Sequence, residues 1–330
     1  MNGLAKISLL LVILLVSLSA YLRLAHSGIG CADWPECYGH IGQPTSVSQP
    51  AASGNTYQRM VEQANQPLAW ATPLHRLVAS VLGLLILSLA FIALRRNKQR
   101  VIAMALLGLT VFLAVLGIRS GSLHNPAVVM GNLAGGFSML GLLGWMVFSP
   151  GSKVRRNTQD HDLQDKAGAA KHMTILAIMV LCMQIVLGGL TSANFAATSC
   201  QTLPDCHGSW LPGSALLTAF DLSRRHEVTP MGQAIGGQER LAIHKAHRIG
   251  AAITLATILL AAVMALRSGA RYRSTAIVIL ALVTLEFSVG IAAILTGLPI
   301  SLAVAHNWLA GLILLALLKL MTLSRGLTTG

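Results

Sequence analysis

Eight stretches of roughly 20 apolar residues, separated by more polar segments, dominate the hydrophobic pattern of this chain. A helix needs roughly 20 apolar residues to cross a hydrocarbon core about 30 Å thick. Each stretch is therefore predicted to be a transmembrane helix, and the chain to be an all-α membrane protein. The predicted spans are 5–24, 73–94, 101–119, 126–148, 172–193, 241–266, 274–296 and 300–323.

The basic residues between the spans predict the direction in which the helices cross. They cluster after the second, fourth and sixth spans, at 95–100, 153–171 and 267–273, and Lys6 and Arg325 lie near the two ends. Alternating spans place all these residues on one side, which the positive-inside rule makes cytoplasmic. Both termini are then cytoplasmic, and the loops 25–72 and 194–240 face outward.

The composition excludes a soluble enzyme. The chain has 330 residues, of which 54% are hydrophobic and 11% charged, and its mean hydropathy is +0.66. A soluble domain carries about 25% charged residues. The net charge of +13 suggests nucleic acid, but the basic residues form the topology signals described above. We therefore expect membrane lipid and no nucleic acid around this chain, with the bacterial inner membrane as its location.

Polar landmarks recur at nearly constant spacing in the two halves of the chain. The matched pairs are Cys31 and Cys200, Cys37 and Cys206, His75 and His247, Arg76 and Arg248, and Asn132 and His306. Their offset rises only from 169 to 174 residues. Each half has four spans, so both halves cross the membrane in the same direction, as a parallel repeat. We predict two tandem four-helix bundles, formed by residues 1–150 and 151–330.

Small residues are expected to let the helices of these bundles approach closely, at Gly135–Gly136 and Gly188–Gly189. The first span also fits a cleaved signal peptide, because Lys6 precedes an apolar run. We favour a retained helix, since the matching fifth span lies in mid-chain and cannot be a signal.

The outward loops hold two Cys-x5-Cys pairs, Cys31 with Cys37 and Cys200 with Cys206. The outer compartment permits disulfides, and each pair would close a short loop after a span. A redox-active dithiol fits the same spacing. Metal binding is a third reading, which requires the two halves to converge.

Histidines inside predicted spans are candidate functional residues, because ionisable groups are costly in a membrane. His247 and His306 each lie about six residues into a span, roughly 9–10 Å below the outer surface. A pair at equal depth fits the two faces of a haem iron, and Arg248 and Arg76 fit haem propionates. The alternative is that each histidine only hydrogen-bonds a neighbouring group.

The first half is less complete. His75 is matched by Asn132 where a second histidine is expected, and a carboxamide is a poor iron ligand. A haem there would have an open iron position, as reactive haem sites do, or the site has decayed. Glu286 is the one acidic residue well inside a predicted span, and it faces either an arginine or a polar cavity.

These motifs together resemble the heme A synthase family. The likeness runs through nearly the whole chain, and four stretches carry it. They are 21–39, with Cys-Ala-Asp-Trp-Pro-Glu-Cys; 184–206, beginning Gln-Ile-Val-Leu-Gly-Gly-Leu-Thr; 243–248, Ile-His-Lys-Ala-His-Arg; and 302–307, Leu-Ala-Val-Ala-His-Asn. The resemblance implies an enzyme that oxidises a methyl group of heme O to a formyl group, by successive hydroxylations, for cytochrome oxidase. Its implied partners are the farnesyltransferase that makes heme O and the cytochrome oxidase assembly machinery, with homo-oligomerisation left open.

Carried over by this resemblance, His247 and His306 would ligate a permanent haem b, and His75 would hold the substrate heme O. Cys31 and Cys37 would be the family's outward pair. Two positions depart from the family pattern: Thr72 stands where glutamate is usual, and Asn132 where histidine is usual. Both departures lie in the half assigned to chemistry.

Three functions therefore compete. The first is a heme A synthase-type oxidoreductase, supported by His75 and the cysteine pair. The second is a non-catalytic haem-binding assembly or haem-transfer protein of the same fold, supported by Thr72 and Asn132. The third is a two-haem cytochrome that takes electrons from quinol, for which no quinone site is visible.

Overall fold

The structure, a computed structural model, describes residues 1–25, 70–119, 126–149, 161–200, 202–213, 215–222 and 237–324. Within these ranges the chain is helical and forms no β-strand. The described helices are α1 (Asn2–Ala25), α2 (Ala71–Arg96), α3 (Arg100–Arg119), α4 (Pro126–Phe148), α5 (His161–Ala193), α6 (Leu216–Ala219), α7 (Gln238–Arg267), α8 (Ala270–Leu295) and α9 (Ile300–Ser324).

Eight of the described helices are long and apolar enough to cross a membrane, which confirms the predicted all-α membrane class. Their outward side chains stay apolar: Leu10, Leu84 and Leu295 are each about two-thirds exposed. Helix α5 begins at His161, although the sequence predicts a span only from 172. The additional turns contain three alanines and two lysines, which favour helix, among polar residues that keep the hydropathy low.

The helix contacts form two rings. In the first half, α1 packs on α2 and α4, and α3 packs on the same two helices. In the second half, α5 and α8 each pack on α7 and α9. These contacts are consistent with two tandem four-helix bundles. The halves meet where α4 contacts α5 and α9, and where α1 contacts α9.

Glycines lie at the closest helix contacts, as expected for helices that approach through small residues. A Cβ atom on Gly135 would lie 2.5 Å from Leu113 Cδ2, and one on Gly136 would lie 3.4 Å from Val16 Cγ2. Gly189 of α5 packs against Met130 and Leu133 of α4 and so helps to join the halves.

Candidate functional site

Two intramembrane histidines meet inside the second-half ring. His247 lies on α7 and His306 on α9, two helices that stand diagonally opposite because each contacts α5 and α8. Their ring centroids are 6.4 Å apart, and the ring planes are inclined by 84°. Both side chains are half-buried.

This separation fits one metal ion between the two rings. A metal–imidazole nitrogen bond is about 2 Å long, so two rings on opposite sides of one ion have centroids about 6 Å apart. Direct hydrogen bonding between the rings would instead bring their nitrogens to about 3 Å. The predicted pairing of His247 and His306 is therefore compatible with a shared iron.

Helix α8 forms a seat for the His306 ring, which consists of the Glu286 side chain and the space at Gly290. Its Nδ1 atom lies 3.1 Å from Oε1 of Glu286. One turn further along the same helix, a Cβ atom on Gly290 would lie 3.2 Å from His306 Cε1. The carboxylate thus meets the ring at one nitrogen, and the glycine leaves room for the ring to lie against the helix.

His247 sits in an equivalent seat formed by α5. Its Nδ1 atom lies 3.0 Å from Nε2 of Gln184, which also donates to the His247 carbonyl oxygen over 3.0 Å. A Cβ atom on Gly188 would lie 3.1 Å from His247 Cε1. Each histidine therefore meets a polar side chain at Nδ1, and it also meets the glycine that lies four residues after that polar residue on the same helix.

The remaining nitrogen of each ring carries the capacity to bind a ligand. Within the described residues, neither Nε2 atom takes part in a hydrogen bond. An imidazole whose Nδ1 is held by a protein group presents Nε2 to a metal, as metal-ligating histidines commonly do.

The loop after α5 is fastened over one end of this bundle. Cys200 and Cys206 form a disulfide with a Cα–Cα distance of 5.2 Å. The Arg248 guanidinium, next to His247, donates to the carbonyl oxygens of Cys200, Thr202 (2.6 Å) and Asp205 (3.1 Å).

Two further α7 residues face the same loop. Arg240 is buried and donates to the carbonyl oxygen of Phe195, and His244, one turn later, is 3% exposed. With Arg248 they form a stripe at every fourth residue. The terminal nitrogens of Arg248 are thus engaged by the loop, and its proposed contact with a propionate stays a prediction.

The first half repeats the arrangement of helices with different residues. His75 lies on α2 and Asn132 on α4, which also stand diagonally opposite in their ring. Both side chains are half-buried, and Arg76 is exposed. The side chain of Thr72 and the pair Cys31 and Cys37 lie outside the described residues.

The glycine seats were missed by motif reading, although the sequence carries a signal for them. A polar residue followed by glycine four positions later occurs at Gln184 with Gly188 and at Glu286 with Gly290. Only the structure shows that these two pairs, on different helices, face the two histidines.

The fold and site define a class: a multi-pass helical membrane protein with two histidines poised inside one bundle. Comparison with known proteins narrows this class. Residues 3–318 match a family described as cytochrome oxidase assembly protein.

Curated relatives extend over almost the whole chain. The heme A synthase of Shewanella oneidensis is 33% identical over 323 residues, covering 97% of this chain and 95% of the relative. The heme A synthase of Halalkalibacterium halodurans is 26% identical over 93% of this chain and 91% of its own. That of Mesorhizobium japonicum is 23% identical over 95% and 87%.

This chain belongs to the cytochrome oxidase assembly protein family, whose members named above are heme A synthases. The resemblance noted from the sequence motifs is thereby confirmed. Heme A synthases are oxidoreductases, and membership implies a role in cytochrome oxidase assembly.

Proposed function

We propose that this protein oxidises a methyl group of heme O to the formyl group of heme A, in the bacterial inner membrane with both termini cytoplasmic. The observation that carries the proposal is the pair of facing imidazoles, 6.4 Å apart, in a chain whose relatives are heme A synthases. The substrate is largely apolar apart from its propionates, and a site between membrane helices suits it.

Haem b is the cofactor that His247 and His306 would hold through their Nε2 atoms. Bound there, it would supply one-electron redox chemistry, the usual role of a site with two histidines. Ligation through Nε2 requires a proton on Nδ1. Glu286, whose Oε1 lies 3.1 Å from His306 Nδ1, would accept that proton. The Gln184 amide nitrogen lies at His247 Nδ1 and also donates to the His247 carbonyl oxygen, so ligation by His247 Nε2 would require this amide to move away from Nδ1.

The first half would receive heme O as substrate. His75 would bind the substrate iron from one side, and Arg76, being exposed beside it, would meet a propionate. Asn132 leaves the other side open or holds a water molecule. Residues 1–150 would thus carry the chemistry, while residues 151–330 would carry the permanent haem b.

The outward loops and the partners complete the proposal. Cys31 and Cys37 would form a second disulfide in the first outward loop, matching Cys200 and Cys206. The heme O-producing farnesyltransferase would supply substrate, and the oxidase assembly machinery would receive the product. Both exchanges suit a haem that stays within the membrane.

The test is pigment analysis in a host that makes heme O but lacks its own synthase. Expression of this protein should yield heme A, at a low level because Thr72 and Asn132 replace the residues usual in the reactive half. The matched control is His75→Ala, which should abolish heme A and leave haem b bound. Heme A production that is unaffected by His75→Ala would contradict the assignment of the substrate side.

A second function is favoured by one specific observation, the composition of the first half. Besides Thr72 and Asn132, the positions that match Gln184 and Glu286 in the repeat are Leu15 and Leu113. A non-catalytic haem-binding assembly or haem-transfer protein needs no such groups. Bound haem b with no heme A in the same host would favour this alternative.

A further inference from the structure

We propose that Glu286 is a positioning residue that holds His306 as a haem ligand and lowers the reduction potential of the bound haem. This inference rests on the haem b site of the proposed function, and it adds a residue that sets the site's electrochemistry. The carboxylate would act through the imidazole and would not touch the iron.

The first argument is the placement of the carboxylate. Glu286 lies in the interior of α8, among apolar residues, and its side chain is only 15% exposed. A carboxylate in the hydrocarbon region is costly, so it persists where it has a partner. The group that meets it is His306 Nδ1, at 3.1 Å. Its second oxygen is buried and has no hydrogen-bond partner among the described residues.

The second argument is that the seat around His306 leaves one ring orientation. Gly290 lies one turn after Glu286. Because it has no side chain, His306 Cε1 can lie only 3.2 Å from the place where a Cβ atom would stand. The ring is therefore confined between the carboxylate contact at Nδ1 and the backbone of α8. Both restraints act on Nδ1 and Cε1 and leave Nε2 unengaged, in a ring whose centroid lies 6.4 Å from that of His247.

The third argument is the asymmetry between the two seats. Gln184 offers His247 a neutral amide, whereas Glu286 offers His306 a carboxylate. A carboxylate that accepts the Nδ1 proton makes the imidazole a stronger donor to the metal, whereas the amide nitrogen at His247 Nδ1 cannot accept a proton. Stronger donation favours the ferric state, so the carboxylate lowers the reduction potential. His306 would therefore donate more strongly to the iron than His247, because their partners at Nδ1 differ.

The experiment measures the reduction potential and the ferric spectrum of the low-spin haem in the purified, full-length protein. Glu286→Gln keeps the size and an acceptor but removes the charge, and Glu286→Leu removes both. The control is Ser288→Ala on the same helix, an exposed hydroxyl that bonds only its own helix at the Thr284 carbonyl. The reciprocal variant, Gln184→Glu, gives His247 a carboxylate.

The potential should rise from wild type to Glu286→Gln and again to Glu286→Leu, and fall in Gln184→Glu. The potential of Glu286→Gln should lie at least about 59 mV above that of wild type, which is a tenfold change in the equilibrium constant of a one-electron reduction. Ser288→Ala should match wild type. If Glu286→Leu loses its haem, the Gln variant alone decides. A wild-type potential in Glu286→Gln would overturn the proposal, since a merely structural role predicts it.

Failure of this inference is separable from failure of the proposed function. In His306→Ala, an unchanged low-spin spectrum would mean that His306 is not a ligand, and the haem b site itself would be wrong. A lost spectrum in His306→Ala, with unshifted potentials in the Glu286 variants, would reject the role of Glu286 alone.

Discussion

At the scale of single residues, the site depends on what is small as much as on what is polar. His247 and His306 lie against Gly188 and Gly290, with 3.1 and 3.2 Å between each ring and the place of a Cβ atom. These distances are shorter than ordinary contact, so any side chain at either glycine would push the ring away. The polar partner at Nδ1 then restrains the orientation of the ring that lies against the glycine.

His247→Ala and His306→Ala should each strongly lower the haem b content, because either change removes one of two iron ligands. The measurement is pyridine haemochrome analysis with the low-spin spectrum of the purified protein. His244→Ala is the control, since His244 is a buried histidine on the same helix as His247 but faces the outer loop. Unchanged haem content and spectra in both ligand variants would reject the assignment.

Gly290→Val should displace His306 and reduce haem binding, with an overpacking penalty of about 1–3 kcal/mol. Gly108→Val is the matched control: it makes the same change within helix α3, where a Cβ atom meets nothing within 4 Å. Haem content and thermal stability of the two variants measure the difference. Equal effects would show that the seat at Gly290 does not constrain the ring.

At the scale of elements, helix α7 contributes both to the histidine site and to the attachment of the loop that follows α5. His247 points into the bundle, while Arg240, His244 and Arg248 face the loop that follows α5. Arg248 satisfies three carbonyl oxygens of that loop, around the disulfide between Cys200 and Cys206. The loop and the histidine helix are thus held to each other beside the site.

Arg248→Met should loosen this loop and speed reduction of the Cys200–Cys206 disulfide. Hydrogen bonds from a charged group contribute about 1.5–3 kcal/mol each, so losing them frees the backbone. Thiol labelling during treatment with a mild reductant, read by mass spectrometry, gives the rate. Arg267→Met, an exposed change at the other end of α7, is the control. Equal rates in the two variants would contradict the clamp.

Peptide mapping of protein isolated without reductant should find Cys31 joined to Cys37, in addition to Cys200 joined to Cys206. The reason is the same spacing, in two loops that the sequence predicts on the same, oxidising side of the membrane. Free thiols at Cys31 and Cys37 would reject the second disulfide, and pairing between the loops would favour convergence of the halves.

At the scale of the whole molecule, one repeated architecture holds two unequal sites. The second half has two histidines, each with a polar partner. In the first half, His75 and Asn132 lie on diagonally opposite helices, and Leu15 and Leu113 stand at the positions that match Gln184 and Glu286. A fully ligated site suits electron transfer, and an open one suits reaction at a substrate. These substitutions on a common arrangement of helices are the basis for the proposed division of roles between the halves.

The double variant Thr72→Glu with Asn132→His should raise the yield of heme A above that of the unmodified protein. It restores the carboxylate and the second imidazole that are usual in the reactive half. Pigment analysis in the heme O-producing host measures the yield, with each single variant as a control. Abundant heme A from the unmodified protein would show that Thr72 and Asn132 are compatible with catalysis.

The sequence by itself determined the class, the spans and the repeat, because hydropathy and residue spacing are local properties of the chain. Its eight apolar stretches became helices of membrane-spanning length, and the cysteine pair at 200 and 206 became a disulfide. It also singled out His247 and His306, since a polar residue in an apolar run is visible without any fold.

Only the tertiary structure decided which residues surround those histidines. Gln184, Glu286 and their glycines lie on different helices from the rings that they hold, and nothing in their spacing shows which histidine each one meets. The role of Arg248 was equally hidden, because its partners are backbone carbonyls more than 40 residues away. Helix packing brings these groups together, and packing depends on the shape of whole helix faces.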